Sequence, residues 1–146
     1  MTDGAASAAP STELLDHVNA LLPGTLAEKL GIVFTEVAPE RLVATMPVDG
    51  NTQPYGLLHG GASVALAETI GSIGAVLAAG PGRVAVGVDI NATHHRAARA
   101  GTVTGTGTPL HAGRTTASFE VVVTDESGRR VCTSRITCQL RDAPPG

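Results

Sequence analysis

NTQPYGLLHGGASVALAETIGSIGAVLAA, residues 51–79, is the stretch around which the rest of the chain is organised. From Gly56 to Ala79 its only formal charge is Glu68. A carboxylate set in an apolar helix is costly to desolvate, so it finds partners, takes up a proton, or stands where chemistry needs it. Glu68 is therefore the first catalytic candidate. Gly60, Gly61, Ala62, Ser63, Ala65 and Ala67 precede it and Thr69, Gly71, Ser72 and Gly74 follow, so the helix is thin and allows close backbone approach. Such a helix suits being wrapped by a sheet. The run nearly has the length of a bilayer span, but the mid-segment carboxylate, five glycines and the lack of a second span argue against a membrane protein.

On the N-terminal side, Ser11-Thr12-Glu13 precedes LLDHVNALL, where Leu14, Leu15, Val18, Leu21 and Leu22 recur at helical spacing and Ser or Thr can cap the start. Pro23-Gly24 ends that helix. Thr25 to Leu30 reads as a short second turn closed by Gly31. IVFTEVA and RLVATMPV then alternate well enough to be half-buried strands, and the Pro39-Glu40 turn between them predicts a hairpin. Beyond the long helix, Gly80-Pro81-Gly82 turns the chain into RVAVGVDINATH, GTVTGTGTPLH, RTTASFEVVVTDE and RRVCTSRITCQL. The breaks between these four at Arg99-Ala100-Gly101, Ala112-Gly113 and Ser127-Gly128 have hairpin chemistry. Two strands, a long helix and four strands predict an α+β layer with one antiparallel sheet of about six strands.

The 146 residues make one domain, expected over 11–141, between tails at 1–10 and 142–146 expected to be disordered. A formal net charge of −3 with ten Lys and Arg spread along the chain leaves no basic stripe for nucleic acid. With no Trp, two Phe and one Tyr, the core must be built from Val, Ile, Leu and Ala. Cys132 and Cys138 fall on one strand, about 20 Å apart at roughly 3.3 Å per residue, so they cannot pair within it. Free thiols in the cytosol are the simpler reading. MTDGAASAAP lacks the basic and apolar regions of a signal peptide.

Met46-Pro47-Val48-Asp49, Gln53 through Ser63, Leu66-Ala67-Glu68 and Gly71-Ser72 together resemble the hotdog-fold acyl-CoA thioesterases. The resemblance continues through Val86-Gly87, Ile90-Asn91-Ala92, His94, Arg96, Pro109-Leu110-His111, Gly113, Gly128-Arg129 and Ser134-Arg135, and covers roughly residues 30–141. Within that family it is nearest to the 1,4-dihydroxy-2-naphthoyl-CoA thioesterases of menaquinone synthesis, the enterobactin-proofreading type and the Arthrobacter-type 4-hydroxybenzoyl-CoA thioesterases. It implies a hotdog fold, a long central helix wrapped by the sheet, and hydrolysis of an acyl-CoA with an aromatic acyl group favoured. A hydratase or dehydratase of the same fold and a non-catalytic acyl-CoA sensor are the alternatives. The hydratases place a catalytic histidine in another loop, and a sensor would need an effector module.

Thioester hydrolysis needs a polarised carbonyl, and a helix N-terminus supplies one through free N–H groups and the helix dipole. With the helix beginning near His59, the Gly60 amide is placed to hold the thioester oxygen, which agrees with the family role of the matching glycine. The resemblance makes Glu68 the nucleophile or the general base, and the sequence does not choose between them. Ser72, four residues on and on the same face, positions water or the carboxylate in the family. Gln53 is expected near the carbonyl or Glu68, and His59 to orient the loop and thioester; read alone, His59 could equally be a helix cap. His94 and Arg96 are the expected contacts to the nucleotide of coenzyme A, with Thr115 and Arg141 secondary, and Ile73 and Val76 are expected in the acyl pocket. No cofactor is expected beyond the substrate. No metal is expected either, since His94 and His95, as strand neighbours, should point to opposite faces. Gly60 and Glu68 are eight residues apart, about 12 Å along a helix rising roughly 1.5 Å per residue, so one chain cannot present both to one carbonyl. The site is thus expected to be shared across a two-fold homodimer, with pairing into a dimer of dimers.

Overall fold

A computed structural model describes residues 11–145; the tail expected at 1–10 lies outside the described residues. The elements follow in the order α1 (Thr12–Ala20), α2 (Leu26–Lys29), β1 (Val33–Ala38), β2 (Arg41–Pro47), α3 (Gly60–Ala79), β3 (Arg83–His94), β4 (Thr102–Ala112), β5 (Thr116–Thr124) and β6 (Arg130–Asp142). The Ser11 side chain caps α1 by accepting from the Leu14 amide at 3.3 Å. Asn19 then ties α1 to the sheet, donating to the Phe34 carbonyl and accepting from its amide, both at 2.9 Å.

All six strands form one antiparallel sheet in the order β1-β2-β4-β5-β6-β3. The hairpins expected at Pro39-Glu40, Ala112-Gly113 and Ser127-Gly128 are present. The break at Arg99-Ala100-Gly101 is not a hairpin: β3 pairs with β6 at one edge while β4 lies against β2, so this segment crosses the sheet. Two backbone bonds fasten the crossing, from the Leu58 amide to the Ala98 carbonyl at 2.8 Å and from the Val48 amide to the Gly101 carbonyl at 2.9 Å. At the C-terminus, β6 runs through Asp142, one residue past the expected domain end, and the Ala143 amide donates to the Gly82 carbonyl at 2.9 Å.

Helix α3 lies across the sheet, which wraps it. Its buried residues are Ala62, Leu66, Ile70 and Gly74 in one row and Ser63, Ala67, Gly71 and Ala75 in the next, two adjacent rows of spacing four. Small residues set how close the helix comes. A Cβ on Gly71 would stand 2.1 Å from Ile136 Cγ2, and one on Gly74 would stand 2.5 Å from Phe119 Cε1. The strands answer in kind: a Cβ on Gly105 or on Gly107 would fall 2.5 Å from Ile70, so the two glycines of β4 make the trough for that side chain. This close packing explains why the helix that could by composition span a bilayer is here the core helix of the domain.

Candidate active site

The loop before α3 is held from beneath. Asn51, buried, donates to the Leu30 carbonyl at 2.7 Å and to the Pro47 carbonyl at 2.8 Å, and its own carbonyl accepts from the His59 amide at 2.8 Å. His59 is the N-cap of α3: its Nδ1 accepts from the Gly61 amide at 2.8 Å. The Ala62 and Ser63 amides turn back to the His59 carbonyl at 2.9 and 3.3 Å. Of the first four helical amides, this leaves that of Gly60 without a partner among the described residues.

The free amide borders a cavity of about 340 Å³ lined by Gln53, Leu57, Gly60, Ser63, His94, His95 and Arg96, among others. His94 stands at the helix tip, close enough that a Cβ on Gly60 would lie 2.9 Å from its Nε2. His95 does not face away from it, as strand alternation suggested, because β3 ends at His94 and the chain bends there. Both histidines therefore line the same cavity, and His95 Nε2 is 2.9 Å from the Thr133 hydroxyl. Gln53 keeps its loop folded by accepting from the Tyr55 amide. His59 faces another way, toward a cavity bounded by Leu26, Leu30 and Ala65.

Glu68 is not buried within its own chain. It lies on the less buried side of α3, in the row Val64, Glu68, Ser72, Val76, where Glu68 and Val76 are exposed and Val64 and Ser72 half buried. Its carboxylate borders a separate cavity of about 230 Å³ with Gly87, Val88, Asp89, Ile90 and Ile136. Gly87 is what lets it lie there, since a Cβ at that position would be 3.2 Å from Oε1 of Glu68. Next to Gly87, the β3–β6 register shifts by a bulge between Gly87 and Asp89. A lone glycine inside VAVGVDIN is the sequence signal of such a bulge or close approach. Ser72, half buried, is one turn further. Beneath this face lies the Cys138 thiol, which burial pushes up from its ordinary value of 9.0; the neighbouring Ser72 hydroxyl opposes the shift and the Glu68 charge adds to it.

The remaining expected contacts divide into two groups. Arg96 lines the Gly60 cavity and continues into a neighbouring one of about 410 Å³ with Arg99, Asp125, Glu126 and Arg129. Thr115 and Arg141 sit at the other end of β6, where the Thr115 carbonyl accepts from the Leu140 amide and Arg141 Nε donates to Gln139 at 3.1 Å. His94 pairs with Cys132 in the register and Val84 with Arg141, so about nine residues of strand, roughly 30 Å, separate the groups. One chain does not offer all four to a single nucleotide. Ile73 and Val76 do come together, in a cleft against α1.

The chain thus presents a helix wrapped by one antiparallel sheet, with a free amide at its N-terminus and an exposed carboxylate two turns along it. Comparison with protein families matches residues 55–132 to the thioesterase superfamily. The proofreading thioesterase EntH of Cronobacter sakazakii is 52% identical over 127 residues, covering 86% of this chain and 93% of that protein. Among solved structures, thioesterase HI1161 of Haemophilus influenzae superposes with a TM-score of 0.85 at 40% identity, covering 88% of this chain and 90% of that one. A mutant of thioesterase PA1618 from Pseudomonas aeruginosa gives 0.85 at 37% identity, covering 88% and 94%. The chain belongs to the thioesterase superfamily, and its fold is the hotdog fold.

Proposed function

We infer that the protein is an acyl-CoA thioesterase whose reaction centre is completed by two copies of the chain. The observation that carries this is the separation within one chain of the unpartnered Gly60 amide and the exposed Glu68 carboxylate, each bordering its own cavity. The amide and the α3 dipole would receive the negative charge that develops on the thioester oxygen. Glu68 of the partner subunit would either add to the carbonyl carbon or take the proton of an attacking water. In both cases the carbon–sulfur bond breaks, the thiolate of coenzyme A leaves and is protonated, and water supplies the oxygen of the free acid.

The edge strand β3 supports the pairing. It has a neighbour only on its β6 side, and Val86 and Val88 are 47% and 58% exposed on it. An unpaired twelve-residue strand of this kind invites a second copy. Two such strands joined about a two-fold axis bring the bulge at Gly87, and with it Glu68, toward the partner. Pairing of these dimers into a tetramer is the further assembly we assign. Two unpaired buried thiols, Cys132 and Cys138, suit a reducing compartment such as the cytosol. An aromatic acyl group is the favoured substrate, with menaquinone synthesis and the proofreading of misloaded thioesters as the two settings.

The test is a panel of naphthoyl, benzoyl, phenylacetyl and straight-chain CoA esters, assayed for released thiol with wild type and Glu68→Ala. Wild-type turnover of aryl esters is expected, with a loss of about a hundredfold or more in the variant. Equal rates for the two proteins would remove Glu68 from the mechanism; tight binding without turnover would make the protein a sensor.

A further inference from the structure

Among the described residues, the buried polar ones are Asn51, Ser63 and Ser134. Two of these have partners: Asn51 donates to the Leu30 and Pro47 carbonyls, and the Ser134 hydroxyl donates to the Asn91 carbonyl at 2.8 Å. The side chain of Ser63, a residue only 2% exposed, makes no hydrogen bond among the described residues. A hydroxyl in a helix can turn back to the carbonyl four residues earlier, as Thr69 of α3 does to Ala65 at 2.7 Å. For Ser63 that acceptor would be the His59 carbonyl, whose two lone pairs already receive the Ala62 and Ser63 amides. No side-chain nitrogen or oxygen among the described residues is both sealed from solvent and unpaired. The Ser63 hydroxyl therefore keeps an opening, and Ser63 lines the cavity of about 340 Å³ at the Gly60 amide.

Packing does not ask for a hydroxyl here. The rest of its row is Ala67, Gly71 and Ala75, without a polar side chain. An unpaired hydroxyl in that row costs free energy that an alanine would not. Ser63 follows Gly60 by three residues, about 4.5 Å along the helix at roughly 1.5 Å per residue and on a neighbouring face. An oxygen held by the Gly60 amide still has lone pairs for a second donor, and a hydroxyl can rotate to supply one. We propose that the Ser63 hydroxyl is that second donor: it binds the thioester oxygen beside the Gly60 amide and holds it more strongly as negative charge develops. This rests on the reading of the protein as an acyl-CoA thioesterase. Ser63 forms no covalent bond and keeps its proton throughout. Since every CoA ester carries the same carbonyl oxygen, the contribution is independent of the acyl group.

The experiment compares Ser63→Ala with wild type on each naphthoyl, benzoyl, phenylacetyl or straight-chain CoA ester that wild type turns over. A fall of about a hundredfold in kcat is expected for all of them, with KM within about threefold of wild type, because the bond is stronger to the oxyanion than to the ground-state carbonyl. The melting temperature should be unchanged or higher, since alanine is the better helix former and the free protein loses no hydrogen bond. A second measurement uses phenacyl-CoA, a thioether in which a methylene separates sulfur from an isotopically labelled carbonyl. Its infrared carbonyl stretch, when bound, should lie at lower wavenumber in wild type than in Ser63→Ala, a difference that a packing role would not produce. Ser63 is ruled out as a donor if Ser63→Ala keeps the wild-type kcat, if the loss falls on KM alone, or if some esters slow and others do not. It is equally ruled out if the variant melts well below wild type or if the bound carbonyl stretch is the same in both proteins. If wild type hydrolyses no CoA ester, the thioesterase reading fails instead. The carbonyl stretch then decides the contact alone, and failure of wild type to bind phenacyl-CoA ends it.

Discussion

Single residues here have two kinds of environment, and the difference governs what a substitution does. Glu68 is exposed on its own chain and has no hydrogen bond among the described residues, so Glu68→Gln should leave monomer stability within about 0.5 kcal/mol of wild type while removing activity. A thermal melt run beside the thiol-release assay checks the two halves separately. Cys132 and Cys138 are the opposite case. Burial raises both thiols above their ordinary value of 9.0. Below about pH 9 folded and unfolded chains alike keep these protons; above it the unfolded chain loses them and the folded chain does not. Stability should therefore fall as pH rises beyond about 9. Denaturant titrations from pH 7 to 10 should show that slope, and the Cys132→Ala, Cys138→Ala double variant should flatten it. Glu68 stands out as a candidate in the sequence because it is the only charge in an apolar run; its exposure is not legible there, because an apolar helix does not say which of its faces the sheet covers.

At the scale of elements, α3 is held by the absence of side chains as much as by their presence. Replacing a helical glycine by alanine ordinarily gains about 1 kcal/mol in helix propensity. At Gly74 the new methyl would meet the Phe119 ring at 2.5 Å, and that ring is itself buried in the core. Overpacking of this kind costs about 1–3 kcal/mol, so the steric term wins and Gly74→Ala should be destabilised, read as a lower urea midpoint at unchanged m-value. The sequence showed that the helix was thin but not which rows face the sheet, since both faces are apolar and carry almost no periodic signal. The glycines of TVTGTGT sit in a segment that reads simply as a strand, and nothing local in it tells of their use, which is to receive Ile70. Local turn chemistry located three hairpins correctly and failed at Arg99-Ala100-Gly101. A glycine with φ of +77° marks a turn at residue 101 but carries no record of where the next strand pairs.

The whole molecule raises the question of which copies share a site, and the eight-residue offset between Gly60 and Glu68 makes it testable. Proline is tolerated at the first position of a helix, where its missing N–H leaves no intrahelical bond unmade. Gly60→Pro thus deletes the one amide the mechanism needs and leaves the amides of Gly61, Ala62 and Ser63 capped, although its ring must displace His94. Glu68→Ala removes the other half. Each variant alone should be inactive, because every site of its homodimer lacks one component. In a heterodimer purified through two different tags, one site combines the Gly60 amide of the Glu68→Ala chain with Glu68 of the Gly60→Pro chain, while the second site lacks both. About half of wild-type activity per dimer should return, the fraction of intact sites that two-fold symmetry allows. Purified heterodimers that stay inactive would mean that amide and carboxylate act from the same chain or not at all. The two cavities would then have to be joined by movement within α3, which its packing on five strands opposes.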